Sequence, residues 1–285
     1  MVLHFSKMHG LGNDFVVIDL ISQNFNILPR HVLQLADRHA GVGCDQVLLV
    51  EPPRTPEADF TYRIFNADGG EVEQCGNGAR CFAKFVCDQK LTRKKKINVD
   101  TKGGMIELNL LDPGNRHIGD DAIVEVNMGA PEFEPSKIPF QADTEALSYL
   151  LDLGTESIEI GAVSVGNPHA VIRLDNVADA RVADLGPLIE CHPRFPDRTN
   201  VGFISIKNRT HIDLRVFERG VGETRACGTG ACAAVVYARA RNWLDDSPIS
   251  VRLTGGELQI RWHGPGEPVI MVGSASTTFE GQIRL

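Results

Sequence analysis

Two stretches of this 285-residue chain carry one pattern, and that repeat constrains the fold more than any other feature. Placing Cys75 over Cys227 brings "FNADGGEVEQCGNGA" (65–79) over "FERGVGETRACGTGA" (217–231). In both, a phenylalanine lies ten residues before the cysteine, a glycine five before and a glutamate four before. Upstream, "GNDFVVID" from Gly12 lies over "GNPHAVIR" from Gly166, and the 33-residue step from Asn13 to Gln46 equals that from Asn167 to Asn200. Downstream, a Gly-Gly pair follows each cysteine by 28 residues, at Gly103 and Gly255. Five ordered matches at offsets of 152 or 154 residues define two copies of one unit, not the many short copies of a solenoid.

The local patterns repeat as well. Runs such as "DFVVIDL", "QVLLVEP", "FTYRIFN", "KINVDT" and "IELNLL" read as strands, answered by "HAVIRL", "VGFISIK", "HIDLRVFE", "ISVRLT" and "ELQIRW". Alanine-rich segments starting just after each Cys-Gly predict helices near 76–89 and 228–241. Shorter helices are expected near 29–39, opened by Pro29, and near 184–192. The expected fold is α+β: two pseudo-symmetric domains, each a curved, mostly antiparallel, barrel-like sheet around a central helix. The first would span 1–128 and regain the last strand, about 274–285; the second would span 129–273, with the active site in a cleft between them.

Composition excludes several classes. A formal charge of −8, with "TRKKK" (92–96) as the one basic run, argues against a nucleic-acid partner. There is no signal-peptide pattern and no 18-residue apolar run, so a cytoplasmic protein without a membrane partner is expected. Seven cysteines without a CxxC pair point to neither a disulfide framework nor a zinc site. No lysine stands in a pyridoxal-phosphate context and no GxGxxG follows a strand, so no cofactor or metal is called for. Cys44, Cys81, Cys87, Cys191 and Cys232 read as packing or surface residues, and the eight histidines other than His169, His117 among them, as ordinary surface or core residues.

The chemistry concentrates where the repeat is strongest. A helix N-terminus offers unpaired N–H groups and about half a positive charge. Gly76, Asn77, Gly228 and Thr229 therefore form two anion cradles, each beside a thiol. Such a field favours a thiolate, and a cysteine at its ordinary pKa is only about 3% ionised at pH 7. Two equivalent thiols suit the inversion of a stereocentre, one removing a proton from one face of a carbon and the other delivering a proton to the opposite face. A carboxylate held by the helix starts would carry the enolate-like charge.

The motifs "FSKMHGLGNDF", "NADGGEVEQCGNGARC", "GNPHAV", "RTNVGF" and "ERGVGETRACGTG" resemble those of the diaminopimelate epimerases along essentially the whole chain. The resemblance implies a cofactor-independent isomerase interconverting LL- and meso-2,6-diaminoheptanedioate in lysine and cell-wall biosynthesis, commonly a homodimer. It implies Cys75 and Cys227 as acid/base thiols, with His169 and Glu218 modulating their protonation. Gly76, Asn77, Gly228 and Thr229 would cradle the reacting carboxylate. Asn13, Gln46, Asn66, Asn167, Asn200, Glu218 and Arg219 would line the rest of the pocket. Alternatives are a proline racemase- or hydroxyproline epimerase-like enzyme, or a non-catalytic amino-acid-binding or thiol redox-sensing protein.

Overall fold

The computed structural model describes residues 2–73, 75–111, 120–154 and 156–285. Gln74 and His117 lie outside the described residues. The chain divides into two compact units, Met1–Asn127 with Val272–Leu285, and Met128–Met271.

The first unit contains β1 (Val2–Gly10), β2 (Asn13–Asp19), α1 (Pro29–Ala36), β3 (Gln46–Glu51), β4 (Phe60–Asn66), β5 (Glu71–Val72), α2 (Gly76–Asp88), β6 (Lys96–Thr101), β7 (Gly104–Leu110) and β8 (Ala122–Asn127). The second contains β9 (Tyr149–Asp152), β10 (Ser157–Ser164), β11 (Pro168–Arg173), α3 (Val182–Glu190), β12 (Asn200–Asn208), β13 (His211–Glu218), β14 (Gly222–Thr224), α4 (Gly228–Ala240), β15 (Ile249–Leu253) and β16 (Gly256–Arg261). The last strand, β17 (Ile270–Arg284), belongs almost wholly to the first unit, where it pairs with β1 from Val2↔Arg284 to His9↔Ser276.

In the first unit the strand order is β17-β1-β2-β3-β4-β6-β7-β8, and β8 bonds back to β17 to close an eight-stranded ring. The second unit runs β9-β10-β11-β12-β13-β15-β16. Each sheet holds two parallel pairs, β2–β3 and β4–β6 in the first, β11–β12 and β13–β15 in the second. Parallel neighbours need a crossover rather than a tight turn, and the four helices, α1 to α4, occupy those four crossovers. The duplication extends to the hydrogen-bond register. Phe15↔Gln46 corresponds to His169↔Asn200, Phe65↔Glu71 to Phe217↔Glu223, and Thr101↔Gly104 to Leu253↔Gly256.

Each sheet separates an outer helix from an inner one. In the first unit α1 buries Val32 and Leu35 with Val16, Ile18, Val47 and Leu49. In the second, α3 buries Val182, Leu185 and Ile189 with Ile172, Val201 and Phe203. The inner helices are covered on all sides. Every residue from Gly76 to Val86 of α2, and from Gly228 to Ala238 of α4, is buried. A strand covered on both faces loses its polar alternation, which is why β3 reads as the unbroken run Val47-Leu48-Leu49-Val50. The approach is so close that a Cβ on Gly161 of β10 would lie 2.2 Å from the Tyr237 ring of α4.

The inner helices also stop alike. Lys90 and Asn242 adopt left-handed φ values of 56° and 57°. Behind them the N–H of Leu91 donates to Val86 O and that of Trp243 to Ala238 O, both at 2.9 Å, the bond that satisfies last-turn carbonyls. Polar residues inside α2 are paired: Lys84 Nζ donates to Asp88 and to Asp120 O, each at 2.7 Å. Among the described residues no helix is long and apolar enough to cross a membrane.

Candidate active site

Cys75 is the residue that caps α2. Its backbone is extended (φ −140°, ψ 119°), and its carbonyl accepts the first helical bond from Ala79 N at 2.8 Å. The Tyr62 hydroxyl reaches the same carbonyl at 3.4 Å. The Cys75 thiol faces Asn13 Oδ1 at 3.7 Å, and Asn77 Nδ2 donates to that oxygen at 3.1 Å. Asn77 is held in turn by Arg80, whose Nη2 donates to its Oδ1 at 3.0 Å. Asn13 starts β2, Gln46 starts β3 and Asn66 ends β4. The antiparallel register sets Gln46 opposite Asn66, so these residues share one edge of the sheet. Gln46 Nε2 donates to Asn66 Oδ1 at 2.8 Å, while the buried Gln46 Oε1 has no hydrogen-bond partner.

Cys227 caps α4 in the same way, with φ −128°, ψ 112° and Ala231 N donating to its carbonyl at 3.0 Å. Here the sulfur meets two donors as well as the Glu218 carboxylate. Gly230 N–H points at Sγ from 3.4 Å and Thr229 Oγ1 lies 3.5 Å away. Asn167 Nδ2 donates to Thr229 Oγ1 at 3.4 Å, which leaves the hydroxyl hydrogen to point at the sulfur. The helix start was expected to favour a thiolate, but the Cys227 thiol is pushed well above its ordinary pKa. Burial is the largest cause and the nearby Glu218 carboxylate the next, and together they outweigh Thr229 and Gly230. Glu218 is itself held by the Thr224 hydroxyl, which donates to its Oε1.

His169 is buried on β11, and its Nε2 lies 2.9 Å from Asn167 Oδ1. Burial, and then the Arg219 charge, push its pKa down to about 3, so the ring is neutral near pH 7. A neutral ring has one N–H, and the amide oxygen fixes it on Nε2. The buried Nδ1 has no hydrogen-bond partner. Asn200 ties two elements together: its Nδ2 donates to Pro168 O at 2.9 Å and its Oδ1 accepts Arg219 N–H at 3.0 Å. The exposed Arg219 guanidinium donates to Asp197 O at 2.9 Å.

The structure thus gathers Asn13, Cys75, Gly76 and Asn77 at one helix start, with Gln46 bonded to Asn66 on the same sheet edge. It gathers Asn167, His169, Glu218, Cys227, Gly228 and Thr229 at the other, with Asn200 and Arg219 joined beside them. Tyr62 and Thr224, which hold the Cys75 backbone and Glu218, were missed. A tyrosine inside a strand and a threonine in a hairpin carry no signal of their own. Among the described residues no group of three or more His, Cys, Asp or Glu side chains could hold a metal ion.

This duplicated fold is shared by solved structures of amino-acid racemases and epimerases. The chain is similar to a hydroxyproline epimerase from Agrobacterium vitis (TM-score 0.73, 16% identity, covering 100% of this chain and 93% of that one). It is also similar to a probable proline racemase from Agrobacterium radiobacter K84 (TM-score 0.74, 17% identity, 99% and 93%). At these identities the likeness shows the fold alone. The sequence goes further. The diaminopimelate epimerase family profile matches residues 5–134 and 161–278. Diaminopimelate epimerases of Stutzerimonas stutzeri (strain A1501) and Ectopseudomonas mendocina (strain ymp) are each 58% identical over 285 residues, covering 100% of both chains. The chain belongs to the diaminopimelate epimerase family and is an isomerase.

Proposed function

We propose that this enzyme interconverts LL- and meso-2,6-diaminoheptanedioate by two-thiol acid/base catalysis, without a cofactor, supplying lysine and peptidoglycan precursors. The observation that carries the reading is the matched placement of Cys75 and Cys227, each capping a buried helix beside an asparagine at the same position of the repeat.

In the forward step one cysteine, as thiolate, takes the α-proton, and the electron pair of the broken C–H bond delocalises into the adjacent carboxylate. Backbone N–H groups at the helix starts, around Gly76, Asn77, Gly228 and Thr229, stabilise that charge. The other cysteine, as thiol, donates its proton to the opposite face, leaving the product inverted and the protonation states exchanged. Both half-sites must therefore meet one substrate. Burial and Glu218 keep Cys227 in the thiol form, which suits the proton donor. As base, it would pass its proton to the Glu218 carboxylate. The Arg219 guanidinium suits the distal carboxylate, and the amide oxygens of Asn13, Gln46 and Asn66 suit ammonium groups.

The test is inversion of LL-diaminopimelate in D2O. Deuterium is expected at the inverted carbon, and Cys75→Ala or Cys227→Ala is expected to lower kcat by about 10³-fold or more. Near-normal turnover by either variant would sink the two-thiol mechanism. Turnover of proline in place of LL-diaminopimelate would sink the substrate.

A further inference from the structure

We infer that Asp45 is a positioning residue for the reaction: its carboxylate fixes the amide of Asn13 so that Oδ1, and not the NH2, is presented to Cys75 and Asn77. The inference rests on the reading that the Cys75 half-site holds the substrate.

Asp45 lies on no regular element, immediately before β3. Its Oδ2 accepts Asn13 Nδ2–H at 2.9 Å and the Asp14 backbone N–H at 3.1 Å. An ionised carboxylate only accepts, so it faces the NH2 of Asn13 and turns the amide oxygen the opposite way. There Asn77 Nδ2 (3.1 Å) and the Cys75 thiol (3.7 Å) both meet that oxygen.

Asp45 is held from behind. Arg38 Nη2 bridges Asp45 Oδ1 and Asp14 Oδ1, each at 2.8 Å, and Asp45 N–H donates to Asp14 Oδ1 at 2.8 Å. Asp14 is anchored by Lys7, which is buried and also donates to Gly43 O. Burial alone would raise the Asp14 pKa, but Arg38 and Lys7 outweigh it and keep the group ionised. The network thus runs from a buried lysine to the Asn13 amide oxygen beside the Cys75 sulfur. The second unit puts a hydroxyl where this carboxylate stands. The position equivalent to Asp45 is Thr199, whose hydroxyl donates to Asn200 O.

The test is steady-state epimerisation by three proteins: wild type, Asp45→Ala and Asp45→Asn. Asp45→Ala is expected to lower kcat/KM about 10- to 30-fold through a raised KM, as the loss of one charge-assisted hydrogen bond implies. Asp45→Asn keeps an oxygen for Asn13 and should recover to within about threefold. A merely structural role would instead lower kcat through the active fraction and leave KM unchanged. If Asp45→Ala does not fold, Asp45→Ser, too short to span to Asn13, carries the same expectation. The inference is overturned if the short variant matches wild type, or if Asp45→Asn is equally damaged. Wild type that fails to invert LL-diaminopimelate overturns the underlying reading instead.

Discussion

The two helix starts share a backbone and differ in what they point at their sulfurs. In the first unit a charged group orients the asparagine, and the amide shows its oxygen to the Cys75 thiol. In the second a neutral, buried His169 takes hold of the amide oxygen of Asn167, so that its NH2 leads through Thr229 toward Cys227. Duplication copied the main chain, while the side chains one step back turn the two asparagine amides opposite ways.

The sharpest way to break this comparison is His169→Leu, which removes the donor that orients Asn167. We expect kcat/KM to fall about 30- to 100-fold, comparable to or larger than the effect of Asp45→Ala, because the amide oxygen loses the buried donor that fixes it. An effect under about threefold would show that the Asn167 orientation does not matter.

The same histidine has a pH signature in stability. Its pKa is about 3 folded, against an ordinary 6.5, so below pH 6.5 the unfolded chain binds a proton the folded chain refuses. Its contribution is complete above pH 6.5 and is lost as pH falls toward 3, at up to about 1.4 kcal/mol per unit. Denaturant melts at pH 7 and pH 5 should therefore show wild type losing about 2 kcal/mol more than His169→Leu.

Glu218→Gln probes the other difference. Removing the carboxylate takes away the second cause of the raised Cys227 pKa and leaves burial, the first. The pH profile of Cys227 alkylation, followed in a Cys75→Ala background, should move to lower pH by about one unit or less. An unmoved profile would remove Glu218 from control of the thiol.

The smallest effect expected concerns the helix ends. Lys90 and Asn242 both sit in the left-handed region, which asparagine tolerates better than lysine. Lys90→Gly should stabilise the chain by about 0.5–1 kcal/mol, and Asn242→Gly by less. Equal gains would mean the two stops are energetically alike.

These contrasts also explain what could be read in advance. The inner helices lie within one residue of the spans expected from the repeat, and the shorter ones near theirs, because capping and apolar spacing are local. Strand β1 carried no such signal: "VLHFSKMHG" holds a lysine that is buried only because Asp14 and Gly43 meet it. The parallel pairing of β2–β3 and β4–β6 is a property of strand order, on which side-chain alternation is silent. The thiols and their asparagines stood out because both copies keep them. Asp45 did not, since Thr199 answers it and no match marks the position.

The return of β17 to pair with β1 sets an order of events during synthesis. The second unit has all of its residues once Met271 has been made, whereas the first lacks its closing strand until then. At ordinary translation rates the first unit waits roughly 7–30 s for that strand, with β1 exposing the edge that β17 will cover. The half that begins first is completed last, and an early stop before Val272 would leave its ring open.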